Sequence, residues 1–180
     1  MKRFAVIGDP IAHSLSPVLH QEVYSQLELD ASFERTRVKP DNLHSFMSSN
    51  KLDGFNVTIP HKQSVIPFLD ELDESAQIIG AVNCVHKGKG YNTDWIGFLK
   101  AMEINKIDLN GKDCTMLGAG GAAKAIAYAF IISNVKSISI INRSQENANQ
   151  LSQWIQNNSN IRVTTTTPEH LSAVADLFIN

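Results

Sequence analysis

Short apolar runs and amphipathic stretches alternate along this chain from its first residues to its last. Phe4-Ala-Val-Ile7, closed by Gly8-Asp9-Pro10, predicts a buried strand and a turn. Ser16 ahead of Pro17 marks a helix start, and Leu19, Val23 and Leu27 place the buried stripe of a helix ending near Leu29. Ala31 to Val38 alternates as a strand, and Leu43, Phe46 and Met47 fall at helical spacing within Asp41 to Ser49. Gly54-Phe-Asn-Val-Thr-Ile59 predicts a third strand stopped by Pro60, and the apolar run from Ile78 to Val85 predicts another strand approach. His86 to Gly90 reads as a hairpin tip, after which Trp95, Leu99 and Met102 mark the buried side of a helix opening near Asp94.

The second half repeats a simpler pattern. Cys114 to Leu117, Ser137 to Ile141, Ile161 to Thr165 and Ala175 to Ile179 read as strands, the α/β arrangement of part of a doubly wound sheet. The first of them runs into Gly118-Ala-Gly-Gly-Ala122 and an alanine-rich helix. Gly118, Gly120 and Ala123 fit the spacing G-x-G-x-x-G/A, which supplies a tight turn, room for a pyrophosphate and close helix-to-strand packing. The helix N-terminus that follows would hold the phosphates. About twenty residues on, the next strand ends in Asn142-Arg143-Ser144, where an NAD site would carry an acid for the ribose 2′-hydroxyl. An arginine there suits a 2′-phosphate and favours NADP; the plainer alternative makes Arg143 a solvated residue and Ser144 a helix cap.

Composition narrows the classes. The 180 residues hold one large or two small domains, 43% of them are apolar, and eighteen acids against sixteen bases give a net charge of −2. With no basic run, nucleic acid is not expected as a partner. No apolar run approaches the ~18 residues of a membrane span, and Met-Lys-Arg leads straight into a strand, so a cytoplasmic protein is expected. Cys84 and Cys114 sit in apolar runs and read as free buried thiols, and the six histidines show no metal-binding spacing, so no metal is expected.

Polar residues interrupt the apolar pattern at a few places. Ser14 and Ser16 follow the first strand; Ser16 serves as a cap, or both hydroxyls hold a polyol. Asn56 and Thr58, two apart on one strand, share a face and invite a ligand, and His61-Lys62 follow at the C-terminal edge where open sheets bind small molecules. Asn83 lies inside an apolar run and needs partners from the backbone or a ligand, while Asn92, Thr93 or Asp94 caps the next helix.

Six motifs in order, Gly8-x-Pro10-x-x-His13-Ser14-x-Ser16-Pro17, Asn56-Val-Thr58-x-Pro60-x-Lys62, Gly80-Ala-x-Asn83, Gly90-x-Asn92-Thr93-Asp94-x-x-Gly97, Gly118-Ala-Gly-Gly-Ala122 and Asn142-Arg143, resemble the shikimate dehydrogenase family. The resemblance implies an N-terminal α/β substrate domain over residues 1–100 and a partial Rossmann-type NADP-binding domain over 101–180, with the active site in the cleft between them. It implies reversible hydride transfer between shikimate and 3-dehydroshikimate, in aromatic amino-acid biosynthesis, with NADP as cofactor. Carried over position by position, Ser14, Ser16, Asn56, Thr58, Lys62, Asn83 and Asp94 would hold the substrate, with Lys62 and Asp94 the catalytic pair. Gly118, Ala119, Gly120, Gly121, Ala122, Asn142, Arg143 and Ser144 would hold the cofactor.

The chain also departs from the family pattern. Cys84 stands where a threonine is common, Ser144 replaces a usual threonine, and Asn147 occupies the place of a second cofactor arginine, which leaves Arg143 nearly alone. The last strand predicts an uncovered edge at Leu177, Phe178 and Ile179, and the family's further strands, C-terminal helices and substrate-contacting glutamine have no counterpart. The chain therefore reads as C-terminally cut short. Three alternatives to an active shikimate dehydrogenase stay open: a remnant that binds shikimate without turnover, a quinate-using relative, and a fragment whose edge strand pairs with another chain.

Overall fold

The structure is a computed structural model; it describes residues 1–170 and 175–180, with His170 in its backbone alone. The chain divides into two compact units, Met1–Thr93 and Asp94–Asn180.

The first unit is built on a mixed six-stranded sheet. Its strands are β1 (Lys2–Gly8), β2 (Ala31–Arg37), β3 (Gly54–Val57), β4 (Glu71–Leu72), β5 (Cys84–His86) and β6 (Lys89–Tyr91), in the order β2-β1-β3-β5-β6-β4. β1 pairs in parallel with β2 and β3, and the β5–β6 hairpin runs antiparallel to β3. The helices are α1 (Ser16–Gln26), α2 (Leu43–Ser49), the single turn α3 (His61–Ser64) and α4 (Glu74–Ile79). β1 is buried on both faces, as its continuous apolar run requires: Ala5 and Ile7 join a large cluster with Phe55, Val57, Val65 and Val82, while Val6 joins a small one with Ile11 and Phe33.

Three sequence expectations are corrected here. Leu19, Val23 and Leu27 are not the buried stripe of α1; they are 65%, 48% and 63% exposed, and Pro17 is the helix's one buried residue. The face turned to the sheet is Pro17, His20, Gln21 and Tyr24, also spaced i, i+3, i+4, i+7. His20 stacks flat on Phe33 at 4.0 Å, Gln21 donates to the Phe33 carbonyl, and Tyr24 packs against Phe4. Periodicity finds helical stripes but cannot choose between two of them when aromatic and amide groups satisfy the sheet better than leucine. Ser16 is not the cap either: it is the first helical residue, and its N–H donates to the Ser14 hydroxyl. Finally, Ile78 and Ile79 belong to α4 rather than a strand, because Asp73 caps that helix and Gly80 ends it in the left-handed conformation.

The second unit is a parallel sheet of β7 (Asp113–Leu117), β8 (Ser137–Ile141), β9 (Arg162–Thr166) and β10 (Leu177–Ile179), in the order β10-β7-β8-β9. α5 (Asp94–Ile104) precedes it, and α6 (Ala123–Ile132) and α7 (Gln145–Asn158) cross over between β7, β8 and β9. Cys114, Met116, Ile138 and Ile140 of the sheet pack with Ala127 and Phe130 of α6 and with Ala148, Leu151 and Ile155 of α7. The α7 residues repeat at helical spacing, and the alanines of α6 let that helix lie close on the strands. Trp95, Leu99 and Met102 lie on the partly buried side of α5, as the pattern requires. Among the described residues β10 pairs with β7 alone, at the edge of the sheet, with Phe178 exposed.

Candidate active site

In the first unit the parallel strands β1 and β3 end side by side, and the antiparallel β5 begins at that same edge. The Val57 N–H donates to the Asn83 carbonyl at 2.8 Å, so Asn83 enters beside the end of β3. Close approach of the two strand ends requires Gly8: a Cβ there would lie 2.6 Å from the Thr58 methyl and 2.8 Å from the Ile59 carbonyl oxygen. Beyond Gly8 the chain turns to Ser14, whose hydroxyl lies 3.2 Å from that of Ser16, and Arg35 of β2 holds the Ser14 carbonyl at 2.8 Å. Asn56 lies on β3 with its amide 3.4 Å from the His20 ring, and Thr58 follows at the strand's end, its N–H donating to the Ile7 carbonyl.

Lys62 is carried by α3, and this short turn is held from three sides. The buried His61 donates from Nε2 to the Val38 carbonyl at 2.6 Å, the His61 N–H donates to the Thr58 carbonyl, and the Lys62 carbonyl accepts from the Val82 N–H at 2.7 Å. A one-turn helix has little stability of its own, so the two long-range bonds, to Val38 and from Val82, fix where Lys62 stands. Asn83 and Thr93 bond each other reciprocally: the Asn83 Oδ1 accepts the Thr93 N–H at 2.8 Å and its Nδ2 donates to the Thr93 hydroxyl at 3.0 Å. The same segment is anchored by Asn92, buried, whose amide donates to the Ala81 carbonyl and whose N–H donates to Asp73. Ser14, Ser16, Asn56, Thr58, Lys62 and Asn83 thus all stand at or just beyond one edge of the first unit's sheet.

Sequence reasoning missed His20, which lies one helical turn from Ser16 and reaches Asn56; that i+4 spacing was the available signal. It also missed Asp73, whose carboxylate organises α4 and Asn92 together, and nothing in the local sequence announces the second of those contacts. Burial pushes the His20 ring below its ordinary 6.5, so the neutral imidazole is the form that meets the Asn56 amide.

In the second unit Asp94 opens α5 as its first residue. Gly118 turns the chain out of β7 at φ 112°, and its N–H donates to the Ile141 carbonyl at the end of β8. Asn142 ties the two loops together: its Oδ1 accepts the Ala119 N–H at 3.1 Å and its Nδ2 donates to the Ser144 carbonyl at 2.8 Å. Ser144 caps α7, its hydroxyl accepting the Asn147 N–H, and Arg143 is exposed on the turn between. A Cβ built on Gly120 or Gly121 meets nothing within 4 Å, and the loop borders a 360 Å³ hollow lined also by Ala122, Ile126 and Ile179. Open space above backbone N–H groups at a helix start fits a pyrophosphate, so the residues present suit a dinucleotide.

Neither cysteine is paired. Cys114 is buried and its thiol is pushed up to about 11, chiefly by burial and further by Asp176 and Asp113; Cys84 is half-buried and also raised by burial. Among the described residues no group of three His, Cys, Asp or Glu could hold a metal, and no helix is long and apolar enough to cross a membrane.

A mixed-sheet unit with a polar edge, followed by a parallel unit with a glycine loop between β7 and α6, defines a two-domain α/β protein whose second domain has nucleotide-binding topology. Residues 6–85 match the family described as shikimate dehydrogenase substrate binding domain, and residues 100–180 match shikimate / quinate 5-dehydrogenase. The chain belongs to the shikimate dehydrogenase family. It is 46% identical over 160 residues to the shikimate dehydrogenase (NADP(+)) of Nitrosopumilus maritimus, covering 85% of this chain and 59% of that protein. The structure of shikimate 5-dehydrogenase from Thermus thermophilus, in complex with NADP(H) and shikimate, is 34% identical with a TM-score of 0.85, covering 100% of this chain and 68% of that one. The Listeria monocytogenes enzyme, in complex with shikimate and NAD, is also 34% identical with a TM-score of 0.85, covering 94% and 62%.

Proposed function

We propose that this chain carries the substrate and cofactor machinery of an NADP-dependent oxidoreductase that interconverts shikimate and 3-dehydroshikimate, a step of aromatic amino-acid biosynthesis in the cytoplasm. The observation that carries the reading is the convergence of Ser14, Ser16, Asn56, Thr58, Lys62 and Asn83, drawn from separate segments, at one sheet edge of the first unit. Hydroxyl and amide groups grouped this way suit a polyhydroxylated carboxylate. The shikimate and NADP(H) bound to the Thermus relative support extending the reading to this chain. The domain assignment goes with it: residues 1–100 take the substrate and residues 101–180 the dinucleotide. Two unpaired thiols agree with a reducing compartment.

NADP, when bound, supplies the hydride acceptor. Gly118 and Ala119, whose own N–H groups bond Ile141 and Asn142, would shape the turn; Gly120, Gly121 and Ala122 would hold the pyrophosphate, and Asn142, Arg143 and Ser144 would take the adenosine end. Ser14, Ser16, Asn56, Thr58 and Asn83 hydrogen-bond the ring substituents. As hydride leaves the carbinol carbon, Lys62 in its neutral amine form would take the hydroxyl proton, and in reverse the resulting ammonium would return it to the ketone oxygen; Asp94 would position the hydroxyl.

The test is NADPH absorbance after adding shikimate and NADP to the 180-residue chain. Turnover abolished by Lys62→Ala, with shikimate binding retained, supports the assignment; Lys62→Ala that keeps kcat and only raises KM removes Lys62 from the proton transfer. The chain spans 59% of the length of the Nitrosopumilus relative. A second reading is shikimate binding without turnover. Calorimetric binding with a silent absorbance trace selects that reading. Quinate in a parallel cuvette separates the quinate-using alternative.

A further inference from the structure

The first unit carries a second concave surface, at the end of its sheet away from Thr58 and Lys62. β1 and β3 start there and β5 ends there, and with the α2–β3 loop, the stretch before β4 and the β5–β6 turn they border a hollow of 590 Å³. Small-molecule sites run from ~300 to ~1,000 Å³. Its floor is apolar, built from Met47, Phe55, Leu69 and Phe68, whose side chain is 39% exposed. Four charged residues complete the lining, Lys2 and Lys87 with Asp53 and Asp70. Backbone groups hold this rim in place. The Asp53 carboxylate accepts the Arg3 N–H at 2.8 Å, His86 donates from Nδ1 to the Asp53 carbonyl at 2.9 Å, and the Asp70 N–H donates to the Gly88 carbonyl at 2.9 Å. Lys87 and Gly88 form a two-residue turn with φ of 49° and 76°, which fixes the backbone that carries Lys87. The Asp70 carboxylate lies against that turn: a Cβ built on Gly88 would strike it. Among the described residues, Lys2, Lys87 and Asp70 make no ion pair.

Two ammonium groups and two carboxylates sum to no net charge around that apolar floor. A ligand of one sign gains attraction from one pair and repulsion from the other, whereas a ligand carrying both signs gains from each. We infer that this hollow binds an aromatic α-amino acid as its zwitterion, with the ring on Phe68 and Leu69, the carboxylate on the lysines and the ammonium on the aspartates. The site is separate from the substrate edge, because Gly54 and His86, which line the hollow, stand at the far ends of β3 and β5 from Asn56 and Asn83. It stands whether or not that edge takes shikimate.

The experiment is an amide NMR titration of the 180-residue chain with L-phenylalanine, at low salt, beside three probes that each lack one feature: 3-phenylpropanoate without the ammonium, 2-phenylethylamine without the carboxylate and L-alanine without the ring. The expected result is saturable binding of L-phenylalanine in the millimolar range, with shifts at Asp53, Asp70 and His86 to Gly88. Each of the three probes binds at least about fivefold more weakly, and Asp70→Asn and Lys87→Asn each weaken L-phenylalanine about threefold to fivefold, as exposed charge contacts do. Both replaced side chains are exposed, and asparagine suits the left-handed backbone at Lys87, so the fold survives both changes. An absence of shifts at the hollow, shifts centred instead on Ser14, Asn56 and Asn83, a single-charge probe that binds as well as L-phenylalanine, or wild-type affinity in both variants overturns the inference.

Discussion

Asp73 joins stability to site geometry through a single carboxylate. Its Oδ1 accepts the Ala76 N–H at 3.1 Å and the Asn92 N–H at 3.3 Å, and its Oδ2 accepts the Ser75 N–H at 3.2 Å and the Ser75 hydroxyl at 2.8 Å. Asp73→Ala removes the N-cap of α4, at about 1 kcal/mol. It also strands the N–H of Asn92, which is 2% exposed, at a further ~1–3 kcal/mol. The expected loss is therefore about 2–4 kcal/mol in urea unfolding, with Asp73→Asn recovering part of it because one acceptor oxygen remains. Asn92 leads through Thr93 into Asp94, so Asp73→Ala also weakens shikimate binding where a mutation elsewhere in the core does not. A loss below about 0.5 kcal/mol would refute the reasoning, because it would mean that the Asn92 segment keeps its place without the carboxylate.

Three further outcomes are expected. Leu19→Glu changes stability by less than about 0.5 kcal/mol because the side chain is 65% exposed, whereas Phe130→Ala, at 0% exposure, costs about 3–5 kcal/mol; a Leu19→Glu loss above that of an ordinary surface change would show the α1 leucines packed in solution. Cys114 favours its neutral thiol in the fold, so its contribution is fully present below pH 9 and is lost as pH rises from the ordinary 9.0 through about 11; unfolding measured across that window should weaken in wild type and less in Cys114→Ser. His20→Phe keeps the stack on Phe33 but removes the acceptor facing Asn56, and shikimate affinity should fall several-fold with stability held within about 1 kcal/mol; unchanged affinity would remove His20 from the site.

Much of the fold was legible along the chain because its signals are local. The apolar runs of β1, β7 and β8, the glycine loop after Leu117 and the Trp95, Leu99, Met102 spacing of α5 depend on neighbours within a few residues, and strand, turn and helix follow from them. The polar residues that punctuate those runs, Asn56, Thr58, Lys62 and Asn83, stand out for the same reason: an amide or ammonium inside an apolar pattern needs an explanation that the pattern lacks. Ile78 and Ile79 were misread because an apolar run this short fits strand or helix, and Asp73 and Gly80, acting as cap and stop, decide between them.

The amino-acid order alone thus settles the α/β class and the glycine-rich turn between β7 and α6, and it marks the polar residues that interrupt apolar runs, since each is written in spacing. Tertiary structure alone decides which face of α1 meets the sheet, since Phe33 and Phe4 come from other strands and choose His20 and Tyr24 over the leucines. It alone places Lys62, whose one-turn helix is held by Val38 and Val82 from two segments distant in sequence. Contacts between residues distant in sequence leave no periodicity behind, and that is why His20 beside Asn56 and Asp73 beneath Asn92 come into view only in the folded chain.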